Sequence, residues 1–234
     1  MALPRLNDTP NYQTKVPSTG ETVSYRPYLV KEEKVLMIAF ETGEQKEALR
    51  AIVETLKACI QEDINYQTLT TFDIEYLFTQ VRSKAVGEVA TIMLPCSSCE
   101  SKNEVDVEIA SIEVDIPEVD NIIELTPNVS VEMQYPAYTT LMDLDLGGSE
   151  AEVGFAMLAN CIAAIQTEEE RIDTRDVSTK ELQEFIEQMT TDQFQKVSSF
   201  LQDLPQLKKV ERFQCQKCGE MNEHTLKGIQ DFLS

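Results

Sequence analysis

Two pairs of cysteines share one spacing, C-x2-C: Cys96/Cys99 and Cys215/Cys218. A two-residue spacer lets one tight turn aim two thiolates at the same ion. Two such turns fill the tetrahedral shell of Zn2+, in which each sulfur lies about 2.3 Å from the metal. Four thiolates leave no open coordination position, so the chemistry they suit is structural, not catalytic. The four cysteines are therefore the candidate ligands of a structural Zn2+.

The two pairs are far apart, with 115 residues between Cys99 and Cys215. The implied site is a zinc ribbon split by a large insertion, which joins the middle of the chain to its end. An internal similarity supports the split. The first knuckle reads C-S-S-C-E-S-K-N-E and the second C-Q-K-C-G-E-M-N-E, so Asn103-Glu104 and Asn222-Glu223 occupy equal offsets. Two hairpins related by a pseudo-two-fold produce such a pattern. A redox pair instead needs an exposed, low-pKa thiolate at a helix start, whereas each pair here lies between strand-like runs. Structural disulfides conflict with the cytosolic setting expected of a chain whose opening MALPRLNDTPNYQ has no apolar signal core.

The remaining candidates are weaker. Cys59 and Cys161 fall in apolar helical stretches, where buried thiols are common. His224 lies six residues after Cys218 and reads as a surface residue of the last strand. Nucleotide-loop, dinucleotide, zinc-protease and nucleophile-elbow motifs are missing. One His and no Trp leave little for common acid–base work, and no catalytic residue or bound cofactor beyond Zn2+ is implied.

The elements that must position the knuckles follow from periodicity. Residues 1–28, with Pro4, Pro10, Pro17 and Pro27, read as an extended N-terminal arm with a short strand at 22–25. A helical region covers 29–87, with stripes at Leu36 and Phe40, at Leu49, Ile52, Val53, Leu56 and Ile60, and at Ile74, Leu77, Phe78 and Val81. Thr70 and Asp73 form a capping-box variant for the third helix. Strands and the split ribbon occupy 88–135 and 206–226. Strict alternation marks 103–109, with further strands at 88–94, 122–125, 129–133, 207–213 and 222–225. The stretch 136–205 reads as a second helical region. Within it, 150–166 is apolar almost all round and reads as one buried helix. Gly147-Gly148 reads as a turn leading into that helix, and 168–170 as a solvated turn. Ser178/Glu181 and Thr190/Gln193 cap two more helices. A short helix closes the chain at 227–234. The class is α+β: a mostly helical body with small antiparallel strands and a split ribbon.

Charge adds a constraint on partners. The chain has 234 residues with 20 basic and 41 acidic side chains, a net of −21. The stretch 103–170 holds 16 of the acids and no Lys or Arg. Such a surface repels phosphate backbones, so nucleic acid is not an expected partner. The longest uncharged apolar run, 153–165, is too short to span a membrane.

The sequence also resembles the T4-type bacteriophage baseplate hub subunit family of contractile-tailed phages. The likeness rests on MALPRLN, on VPSTGETVSYRPYLVKEEKVLMIAFETG (16–43), on LTTFDIEYLFTQVRSKAVGE (69–88) and on the CSSCESKNEV knuckle. It implies a non-enzymatic component, or an assembly factor, of the central hub of a tail baseplate. Its partners would be other hub or tail proteins, with the tape-measure protein a candidate. Its place would be the host cytoplasm during assembly and the tail of the virion. The alternative of another class is a zinc-ribbon adaptor, or an acidic nucleic-acid mimic, that regulates transcription. Lys208, Lys209, Arg212 and Lys217 near the second knuckle are the residues that would touch phosphate. Tyr12, Val16, Val23, Tyr25 and Tyr28 are costly to leave exposed, so the arm is expected to be ordered against the body or a neighbouring protein.

Overall fold

Caps and alternation place most of the elements. The computed structural model describes residues 9–144, 149–229 and 231. In chain order it contains β1 (Tyr12–Lys15), β2 (Thr22–Tyr25), α1 (Val30–Glu41), α2 (Gln45–Cys59) and α3 (Thr71–Val86). Then come β3 (Val89–Pro95), β4 (Lys102–Glu108), β5 (Glu113–Asp115), β6 (Ile122–Thr126) and β7 (Val129–Met133). They are followed by α4 (Tyr138–Asp143), α5 (Glu150–Cys161), β8 (Ile162–Thr167), β9 (Arg171–Asp173), α6 (Thr179–Glu187) and α7 (Thr191–Gln202). The last strands are β10 (Gln206–Gln214) and β11 (Met221–Lys227). The fold is mixed, with helices and small antiparallel sheets. No described helix is long and apolar enough to cross a membrane.

The chain forms two units. Unit 1 combines Met1–Asp115 with Gln206–Ser234, and unit 2 is the continuous segment Ile116–Pro205. In unit 1, β5 pairs antiparallel with β10 through Gln206↔Asp115, Leu207↔Val114 and Lys208↔Glu113. The chain thus leaves unit 1 and returns to it at neighbouring points.

Residues 12–25 are a hairpin, not an extended arm. β1 and β2 pair antiparallel from Tyr12↔Tyr25 to Lys15↔Thr22. Val16, Val23 and Tyr25 are buried, and Tyr28 stacks on Phe78 at 6.4 Å. Apolar cost explains the order, and one buried carboxylate fixes it. Asp73 caps α3 by accepting the Thr70 N–H at 2.9 Å, and it also accepts the Ser18 N–H at 2.9 Å and Ser18 Oγ–H at 2.7 Å. The hairpin tip is therefore held on the N-terminus of α3. Residues 1–8 lie outside the described residues.

Helix α1 departs from its expected stripe. Leu36 is buried, but Phe40 is 39% exposed. Glu32 takes an inward place instead, paired with Arg26 at 2.9 Å. Helices α2 and α3 follow their stripes, with Ile52, Val53, Leu56, Ile74, Leu77, Phe78 and Val81 all buried.

Unit 2 holds the main correction. The run read as one helix over 150–166 stops being helical at Cys161, and residues from Ile162 form β8. β8 pairs with β7 and with β9, giving the sheet order β6-β7-β8-β9. The 136–205 region is thus not wholly helical. β6 and β7, grouped by sequence with the ribbon strands, join β8 in this sheet. Nor is α5 buried all round, since Phe155 is 39% exposed. The physical reason is that an all-apolar run has no face, so its periodicity cannot separate helix from central strand. Tertiary pairing with β7 decides it. The turn at 168–170 does connect β8 to β9. Gly147-Gly148 lies outside the described residues. Of the C-terminal helix expected at 227–234, Lys227 instead ends β11 and Gly228 and Ile229 form a turn, while residues 230 and 232–234 lie outside the described residues. The unit 2 core gathers Val131, Met133, Leu158, Cys161, Ile162, Leu182, Ile186, Val197 and Phe200. The boxes at Ser178/Glu181 and Thr190/Gln193 form as expected.

Candidate metal centre

Each cysteine pair sits in the turn of an antiparallel hairpin. β3 and β4 end their ladder at Pro95↔Lys102, and Cys96 follows. β10 and β11 end theirs at Gln214↔Met221, and Cys215 follows. In both, the last pair joins the residue before the first cysteine to the residue three after the second. The register is identical, as a pseudo-two-fold requires.

The turns match bond for bond. Glu100 N–H donates to Cys96 O at 2.9 Å, and Gly219 N–H to Cys215 O at 2.9 Å. Cys96 N–H donates to Ser101 O at 2.9 Å, and Cys215 N–H to Glu220 O at 2.8 Å. Both turns need left-handed backbone at the residue after the second cysteine. Gly219 supplies it at φ 77°, where glycine is free of Cβ strain, and Glu100 supplies it at φ 57°.

The two hairpins are locked to each other by the repeated asparagines. Asn222 Oδ1 accepts the Ser97 N–H at 2.9 Å, and Asn103 Oδ1 accepts the Gln216 N–H at 2.9 Å. Each amide nitrogen donates within its own turn, Asn103 to Ser101 O at 2.8 Å and Asn222 to Glu220 O at 3.0 Å. Both asparagines are buried. A buried amide must be satisfied, and here each one is satisfied only when both knuckles are in place. The sequence repeat signalled these two positions. It did not signal Ser101, whose hydroxyl lies 3.0 Å from Cys99 Sγ and 3.1 Å from Cys215 Sγ. Its counterpart in the second knuckle is Glu220, so the repeat is broken there.

The sulfurs of Cys96, Cys99, Cys215 and Cys218 all lie within 4.8 Å of one another. Cys96 Sγ is 3.6 Å from Cys218 Sγ, and Cys99 Sγ is 3.7 Å from Cys215 Sγ. A tetrahedron with 2.3 Å metal–sulfur bonds has edges of about 3.8 Å. The donor set is therefore complete, all-sulfur and of suitable size for a structural metal ion. All four thiols are free of disulfides.

Electrostatics point the same way. Cys215 is lowered to about 5, first by the Ser101 hydroxyl and then by the Cys218 N–H. At Cys96 burial acts upward, but N–H groups of Cys99 and Ser98 and the Asn222 amide outweigh it, and the thiol falls below its ordinary value. Cys218 is pushed up to about 12; the Glu220 N–H favours its thiolate, and the Cys99, Cys215 and Cys96 sulfurs together overcome that. Some thiols are prepared for ionisation and another is blocked by the crowd. A dication at the centre removes the conflict, because it stabilises all four thiolates at once.

The other cysteines lie elsewhere. Cys59 and Cys161 are buried, and desolvation raises them to about 11 and about 12. They are packing thiols at helix ends. His224 is on β11, where its ring stacks on Phe213 at 5.7 Å. It sits at the offset of Val105 in the other hairpin, so it packs and does not join the sulfur cluster. Of the four basic residues named near the second knuckle, Lys217 is exposed in the turn and the other three are engaged. Lys208 pairs with Asp115 at 2.9 Å, Lys209 with Glu211 at 3.4 Å and Arg212 with Glu223 at 2.7 Å. Two acids of the 103–170 stretch thus find cations from outside it, Asp115 with Lys208 and Glu132 with Arg171 at 2.9 Å.

The family model described as T4 bacteriophage base plate protein matches residues 9–234. No curated protein and no solved structure matches the chain.

Proposed function

We propose, for a chain that belongs to the T4 bacteriophage base plate protein family, a non-enzymatic role in the central hub of the contractile tail. A base plate role follows from family membership. The finer reading is that the protein is a hub component or a hub assembly factor, built around a structural Zn2+. Cys96, Cys99, Cys215 and Cys218 would hold that ion as a ribbon split by unit 2. Zn2+ would supply cohesion, since a four-thiolate shell has no vacancy for substrate or water. The protein would act through contacts with other hub or tail proteins. The observation that carries the reading is the pairing of a base plate family match with two knuckles whose four sulfurs converge.

Lys208, Lys209 and Arg212 already carry acidic partners, and the net charge of −21 opposes phosphate, which disfavours the adaptor of transcription. The test is affinity capture from infected cells, compared with the protein content of finished particles. Capture of hub or tail proteins supports the reading, and presence in purified virions makes the chain a component instead of an assembly factor. Capture of RNA polymerase or DNA without tail proteins refutes it.

A further inference from the structure

Unit 2 has an open sheet edge beside a cleft. β6 is at the end of the order β6-β7-β8-β9, so among the described residues its other edge has no strand. A cleft of about 400 Å3 runs between β6 and α7. Its floor is apolar, formed by Val119, Ile123 and the buried Phe200. Asp120, Glu124 and Asp203 stand around it, against one cation, Lys196. Neither Glu124 nor Asp203 has a cationic partner among the described residues.

Side chains already bond backbone groups of β6. Asp120 Oδ1 accepts the Ile122 N–H at 3.0 Å. Gln193 Nε2 donates to Leu125 O at 2.9 Å. An added strand could take over such backbone bonds. Charges on an edge strand normally keep other strands away. Here acids outnumber the one cation three to one and flank an apolar floor, so they select a partner as well as deter others. The cleft has room for one or two side chains, not for a folded element, so the rest of the occupant must lie along the edge.

We propose that this cleft docks an extended, basic segment of a partner protein by strand addition to β6. Backbone groups of the segment replace the Asp120 and Gln193 contacts, an apolar side chain enters above Phe200, and Lys or Arg side chains meet Asp120, Glu124 and Asp203. The inference stands on unit 2 and does not depend on the metal or on a hub role.

The probe is a synthetic peptide of alternating Lys and Val, titrated into the full-length protein by calorimetry at physiological salt. The expected result is saturable binding, weakened at least about tenfold by Glu124→Lys with Asp203→Lys. Alternate backbone N-methylation of the peptide, which keeps its charge, weakens binding by a similar factor. Reversal of Glu168 and Glu169, in the turn between β8 and β9, changes affinity by less than about twofold. Thermal unfolding of both variants shows that they are folded. Absence of binding overturns the proposal. So does equal loss on reversal at 168 and 169, or indifference to N-methylation, because either means diffuse attraction to an acidic protein.

Discussion

The two units close their folds by different means. Unit 2 is one continuous segment whose sheet joins successive strands, β6-β7-β8-β9, over an apolar core. Unit 1 is assembled from two pieces of chain that are separated by the whole of unit 2. Bringing such distant pieces together costs chain entropy before any contact rewards it. Unit 1 has its own core of Ile92, Leu94, Val107, Ile109, Ile112, Leu207 and Phe213. It also carries four sulfurs and two reciprocal asparagines at the point where its pieces meet. A contiguous unit can rely on burial, and a discontinuous one stands to gain from a staple.

The largest expected effect separates the units by metal. Cys215→Ser, or chelation, should unfold or loosen unit 1 while unit 2 keeps its thermal transition. Amide hydrogen exchange checks this, with β3, β4, β10 and β11 losing protection and β7 and β8 retaining it. Equal loss across both units would break the comparison. The converse is Leu158→Ala, which opens a cavity in the unit 2 core. It should cost about 2–5 kcal/mol in denaturant unfolding and leave metal content unchanged.

How far the sequence reveals these two modes follows the same division. The knuckles, the equal offset of Asn103 and Asn222, and the caps at Thr70, Ser178 and Thr190 are local signals, and the structure holds them all. What is not legible is decided by distant contacts. Ile162 and Ile165 belong to a strand because β7 lies beside them, and nothing within 153–165 breaks the helical reading. β5 is three residues long and exists because β10 returns to pair with it. β1 gives no strong alternation of its own, and the partner that orders it is β2. Ser101 lies outside the repeat, so its closeness to two sulfurs appears only when the hairpins meet.

A third prediction sharpens the view of unit 1 by pH. Glu75 on α3 is raised to about 7, first by burial, with the Ile229 N–H acting in the opposite direction. The folded state therefore holds this proton more tightly than the unfolded chain does. Its contribution is fully present below the unfolded value of 4.5 and is lost as pH rises towards about 7. Glu75→Gln should stabilise unit 1 above that pH by up to about 3 kcal/mol. The gain should vanish at low pH in urea titrations. A gain independent of pH would remove the ionisation from the account.

The smallest effect compares the knuckles themselves. Glu100 holds a left-handed backbone that Gly219 adopts without strain. Glu100→Gly should raise stability by about 1 kcal/mol, whereas Gly219→Glu should lower it by a similar amount. Denaturant midpoints with metal bound measure both. No difference between the two substitutions would mean that the hairpins are not equivalent.

The central claim is that the converged thiols are a metal staple. Its most direct test is X-ray absorption at the zinc edge, with elemental analysis, on the purified full-length protein. The account predicts one zinc per chain with four sulfur neighbours at about 2.3 Å. Folded protein without metal, or a zinc with nitrogen or oxygen neighbours, would contradict it.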